Sequence, residues 1–264
     1  MMKILSVFAL YVRSSFYKII VLLLLMTAGQ ILFFYRKLSR ALDAYAGMEI
    51  TAAETGSFIR LEDMFSAPYL WIVAAAFLLI TVCLCLGGTA FGARTGYTMQ
   101  RLGISERGTF VCQAGYNLLV YLLFWAWEAV LCYGLCRVYC TLAPGAFVSV
   151  QSTALAFYRC SYLHALLPLS DIAGWVCNGL WVLTLSVSSA AFPFFQRRGT
   201  FSSEIVLAVI VVLSAFRYEA AGIYQFFMTV VLVGMLLVLC YRVYAAAAPK
   251  EESLEQEVQI DGMS

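Results

Sequence analysis

The sequence predicts an all-α, polytopic membrane protein, and three observations predict it. Apolar residues fill 63% of the 264 positions and charged residues only 12%, against roughly 45–50% and about 25% in soluble domains. The apolar residues gather into runs long enough to cross a bilayer, which takes about 20 helical residues for roughly 30 Å of hydrocarbon. The few charges fall mostly in the breaks between those runs. Mean hydropathy is +0.87, while the formal net charge of +2 gives no overall bias toward nucleic acid or a strongly acidic partner.

Taken in order, residues 1–18 place Ile4, Phe8, Tyr11 and Val12 at helical spacing among Lys3, Arg13 and Lys18. This pattern predicts an amphipathic helix lying on the inner membrane surface. A secretory signal peptide is the competing reading, opposed by Arg13 and Lys18 and by the lack of a small-residue cleavage site. Six spans are expected at about 19–35, 69–92, 110–136, 172–195, 200–216 and 223–241, in one transmembrane domain covering 1–245. Residues 246–264 form an acidic tail expected in the cytoplasm. Pro68 suits the opening of the second span, because the first helical N–H has no partner to lose. Ser105 or Thr109 is available to cap the third, and Asp171 precedes the fourth. The segments 36–67 and 141–170 are too polar or too broken by proline and glycine to span, and the second, rich in aromatic residues, is expected to rest at the outer interface.

Counting Lys and Arg orients the bundle. With both termini inside, ten lie on the cytoplasmic side and seven outside, and the inner loops are the shorter, so they carry the orienting information. The expected location is the plasma membrane, multi-pass, of a bacterial cell.

The most polar break between two apolar runs is 94–109, with Arg94, Arg101 and Arg107 beside a single acid, Glu106. It reads either as a surface that another protein grips or as a connector that orients two helices. Just before it, Gly88, Gly92 and Gly96 recur every fourth residue and put bare backbone on one helix face, where a neighbouring helix can approach closely.

Several chemistries are poorly served. His164 is the one histidine, so neither a zinc protease helix nor a serine–histidine pair within the membrane is built. None of Lys3, Lys18, Lys37 and Lys250 follows a glycine as a phosphate-binding loop requires. Any nucleotide would therefore be bound by another chain. Among the nine cysteines, Cys132, Cys136 and Cys140 share a helix face and Cys83 and Cys85 form a Cys-X-Cys pair. Thiolates bind soft metals, but no histidine or carboxylate completes a set, so no metal site is assigned. Cys140 and Cys160 both fall near the outer face, where a disulfide and two free thiols are the alternatives.

The order of parts, together with Gln100-Arg101-Leu102-Gly103-Ile104-Ser105-Glu106-Arg107 in the central break, resembles the transmembrane subunit of an ATP-binding-cassette exporter of the type-2 permease superfamily. The resemblance covers most of the chain in architecture and only this octapeptide in motif. It implies an elbow helix at the N-terminus and a coupling helix at Tyr97 to Leu102 that docks into a separate ATPase, with Gly103 to Arg107 as its exit into the third span. On that reading Tyr97, Gln100, Arg101, Leu102, Gly103 and Arg107 form the coupling site, and ATP and Mg belong to the partner subunit. It further implies a homo- or heterodimer, no catalysis in this chain, and export of an amphipathic peptide, drug-like or lipid-like compound. The short link between the fifth and sixth spans departs from relatives that carry a re-entrant element there. A stand-alone membrane sensor or assembly factor is the alternative.

One acid, Glu128, falls well inside a predicted span. Such a group costs roughly 2.5–3.5 kcal/mol at a helix centre on insertion scales unless it faces protein or water. Gln113, Asn117, Tyr121, Phe124 and Glu128 follow helical spacing and form one stripe that should turn inward. Gln113, Asn117, Tyr121 and Glu128 then either border a substrate path between two subunits or hydrogen-bond to neighbouring helices of the same subunit.

Overall fold

The computed structural model describes residues 2–46, 58–87, 106–149, 151–200, 203–215 and 222–246. These residues form helices α1 (Met2–Ala46), α2 (Leu61–Met64), α3 (Ala67–Gly87), α4 (Glu106–Leu142), α5 (Ser152–Arg159), α6 (Ser161–Leu166), α7 (Ile172–Arg197), α8 (Glu204–Ala215) and α9 (Gly222–Ala246), with a 3-10 turn at Gly145–Phe147 and no strand among them. Five stretches are long and apolar enough to cross a membrane: Ser15–Ala46, Ala67–Gly87, Arg107–Leu142, Ile172–Gln196 and Gln225–Ala246.

The helices outrun the apolar runs that announce them. No break separates residues 1–18 from the first span, because α1 is one helix of 45 residues, about 68 Å at 1.5 Å per residue. The reason is local: no glycine or proline precedes Gly29, and Arg13, Lys18, Arg36, Lys37 and Arg40 all propagate a helix well. Much of the expected loop 36–67 is accordingly helix to Ala46. In the same way α4 continues to Leu142 and stops two residues before Pro144, and α9 continues to Ala246. The fifth predicted span is the exception. Its described helix, α8, has 12 residues, about 18 Å, short of the hydrocarbon thickness.

α1 packs on α3 and α4, while α7 packs on α3, α4, α8 and α9 and so joins the two halves of the molecule. Two ends can be told apart. At the end where α1 finishes, α2, the 3-10 turn, α5 and α6 form a cap. Here Tyr45, Phe58, Tyr139 and Phe147 make ring contacts with centroids 5.7–6.1 Å apart, and Tyr139 donates to the Ile59 carbonyl at 2.6 Å. Segment 141–170 does not simply lie on an interface. Phe157, Tyr162, Leu163 and Leu166 are buried, Trp125 Nε1 donates to the Leu166 carbonyl at 2.9 Å, and Asn178 Nδ2 donates to the Ala165 carbonyl at 2.9 Å.

At the opposite end Arg107 lies over the Tyr244 ring at 4.9 Å, Arg198 over Phe194 at 4.6 Å and Arg242 over Phe195 at 4.7 Å, while Arg242 also pairs with Glu204. Aromatic faces attract such cations. Arg60, Gln151 and Cys160, at the starts of α2, α5 and α6, make no side-chain cap bond. Asp171 caps α7 by accepting from Ala173 N at 3.0 Å. Thr109 is not the cap of α4, because it lies buried within a helix already described from Glu106; Ser105 lies outside the described residues.

Candidate functional site

The α4 stripe turns inward as its spacing predicts. Gln113 and Asn117 are 1% exposed, Tyr121 2%, Phe124 9% and Glu128 1%. Each polar member finds a partner on another helix of the same chain. Gln113 Oε1 accepts from Tyr11 OH of α1 at 3.3 Å, Asn117 Nδ2 donates to Ser189 Oγ of α7 at 2.8 Å, and Tyr121 OH donates to Thr81 Oγ1 of α3 at 3.2 Å. Phe124 fills the step between them against Phe77, 6.0 Å away.

Glu128 is the most heavily engaged. Gln30 Nε2 of α1 donates to both carboxylate oxygens, at 2.8 and 2.9 Å. Tyr162 OH of α6 donates to Oε1 at 2.6 Å, Tyr69 OH of α3 at 3.2 Å, and Cys132 Sγ, one turn on, at 3.4 Å. Four side chains from four helices thus converge on Oε1, while Gln30 also meets Oε2. The Tyr69 and Tyr162 rings meet edge to face at 6.0 Å, so the polar knot is walled by aromatic carbon. Gln30 Oε1, by contrast, is buried with no hydrogen-bond partner.

Of these partners the sequence signals one. Gln30 stands in an otherwise strongly apolar run, and an amide there calls for a buried partner. Tyr69 and Cys132 look like ordinary apolar-helix residues, and Tyr162 sits in a segment whose entry into the bundle has no periodic signature.

The nine cysteines are all free. Cys140 Sγ lies 3.5 Å from Thr153 Oγ1, and burial raises the pKa of the Cys160 thiol. Among the described residues no three His, Cys, Asp or Glu side chains gather as a metal set would.

Tyr97, Gln100, Arg101, Leu102 and Gly103 of the expected coupling site, and Gly88, Gly92 and Gly96 of the packing face, lie outside the described residues. Arg107 is described, and it is exposed at the foot of α4 with its guanidinium on the Tyr244 ring of α9. Comparison with protein-family models, curated proteins and solved structures found no match.

Proposed function

We propose that this chain is the permease subunit of an ATP-binding-cassette exporter of the type-2 kind. In that reading it carries an amphipathic substrate across the plasma membrane with energy from a separate cytoplasmic ATPase, and it works as a homo- or heterodimer. α8 counts as a short sixth crossing, and both termini lie inside. The observation that supports the reading is that two membrane-length helices flank the central basic break of the sequence, which carries Arg94 and Arg101. The second of them opens with Arg107, at the end of the bundle where Arg198 and Arg242 also lie. Cations in short loops suit the cytoplasmic side, and they suit a partner with acidic groups.

Leu102→Asp tests it. A tagged wild-type chain purified from its native membrane should bring down an ATPase, and the variant should insert normally yet lose most of that ATPase, because an apolar anchor carries much of an interface's energy. Wild-type ATPase recovery with full transport by the variant would remove the coupling site.

A specific observation favours a second reading, the stand-alone sensor or assembly factor. The polar groups of the α4 stripe are met within one chain, so a substrate path along Gln113, Asn117, Tyr121 and Glu128 would have to open bonds that hold the bundle shut. Recovery of no ATPase with the wild-type chain would decide for it.

A further inference from the structure

Away from the α4 stripe, a cleft of about 590 Å³ lies at the cap end between the last turns of α1 and the stretch from Phe58 to Asp63. Its walls are of two kinds. Lys37, Arg40 and Arg60 supply three cations against the single carboxylate of Asp63, and Tyr45 and Phe58 head the apolar side. Lys37 is partly committed, donating to the Asp63 carbonyl and to Ser66 Oγ at 3.0 Å. Arg40 and Arg60 are exposed, and neither forms an ion pair among the described residues. Guanidinium groups in this state suit a phosphate, which they bind through paired N–H donors.

Depth selects the source of that phosphate. The apolar run of α1 ends at Tyr35, whose ring is 62% exposed, and Arg36 and Lys37 follow at once. Tyrosine and the first cations after an apolar run mark the headgroup layer, and Arg40 follows Tyr35 by five helical residues, about 7.5 Å, so the cleft opens where lipid phosphates lie. We propose that this cleft is a binding site for the phosphate headgroup of an anionic phospholipid, gripped by Arg40 and Arg60. The site is independent of the transport reading.

The test uses the full-length chain in detergent micelles, with native mass spectrometry to count retained lipid after mixing with phosphatidylglycerol or phosphatidylcholine. Wild-type protein should retain phosphatidylglycerol in preference to phosphatidylcholine. The double variant R40Q/R60Q should retain about tenfold less, the change expected from losing charge-assisted hydrogen bonds, while its lipid-free Tm stays at the wild-type value. Equal retention of the two lipids by wild type overturns the proposal, as does unchanged retention by the variant. Displacement of the lipid by millimolar inorganic phosphate would also overturn it, by showing a site for a free anion. A variant whose lipid-free Tm falls while its lipid retention holds would assign the arginines to carboxylates of the chain itself, with Asp43, Glu62 and Asp63 the nearest in sequence, and the lipid site would be lost.

Discussion

At the scale of single residues, Glu128 is the most informative side chain. Its burial is offset by donors from four other residues, so removing it takes an acceptor from Gln30, Tyr69 and Tyr162, of which Tyr69 keeps Cys132 Sγ at 3.3 Å. A buried donor left unmet costs roughly 1–3 kcal/mol, and Glu128→Ala is expected to lower stability by about 3 kcal/mol, read by unfolding in mixed micelles. Glu128→Gln keeps the shape but offers an amide NH2 to a ring of donors. Combined with Tyr162→Phe in a double-mutant cycle it should show a coupling of about 1–2 kcal/mol. If Glu128→Gln also folds normally and shifts transport selectivity, the stripe belongs to the substrate path, whereas unchanged transport leaves it a structural knot. Asp171 gives a pH prediction. A hydrogen bond from Gln225 at 2.8 Å, with help from the backbone N–H groups of Gly174 and Ala173, holds its carboxyl below the ordinary value of 3.8. A depressed carboxylate stabilises the fold fully above its unfolded pKa, and that contribution is lost as pH falls through the folded one. Tm should therefore be flat above about pH 5 and fall on acidification, and the fall should be shallower in Asp171→Asn.

At the scale of elements, the turn into α7 is the tightest joint. A Cβ on Gly174 would stand 2.9 Å from Pro168 Cβ and 2.9 Å from Asp171 Oδ2, and the proline ring cannot swing aside. Gly174→Ala should destabilise by about 1–3 kcal/mol, measured as a Tm shift beside Gly134→Ala, where nothing stands within 4 Å. The helices themselves were largely legible in the sequence. Runs near 69–92, 110–136, 172–195 and 223–241 each contain or overlap a described helix, because apolar length is what a bilayer demands. Their ends were less legible, since the end of an apolar run and the end of a helix answer to different physics. Arg36, Lys37 and Arg40 end the apolar run but continue α1 without difficulty. The inward turn of the α4 stripe could be read from spacing within one helix. The knot around Glu128 could not, because Tyr69 and Tyr162 reach it from positions 59 and 34 residues away, and spacing within one helix carries no information about its neighbours.

At the scale of the whole molecule, the bundle has a cap end and an end where Arg107, Arg198 and Arg242 lie on aromatic rings, and the proposed topology puts the second in the cytoplasm. A reporter active only inside the cell, fused after Ser264, should be active, and one active only outside should work when inserted after the exposed Ser149 of the cap. The opposite pair of results would invert the bundle. The Glu128 knot also has a history written along the chain. Gln30 and Tyr69 precede Glu128 by 98 and 59 residues, and both stand on helices that leave the ribosome before α4. Tyr162 follows by 34 residues, which at roughly 5–20 residues per second is a wait of about 2–7 s. When α4 enters the bilayer its carboxyl thus meets two donors already in place, and the third arrives only as the cap closes. The order of synthesis thus places two of the donors from other helices ahead of the acid they meet.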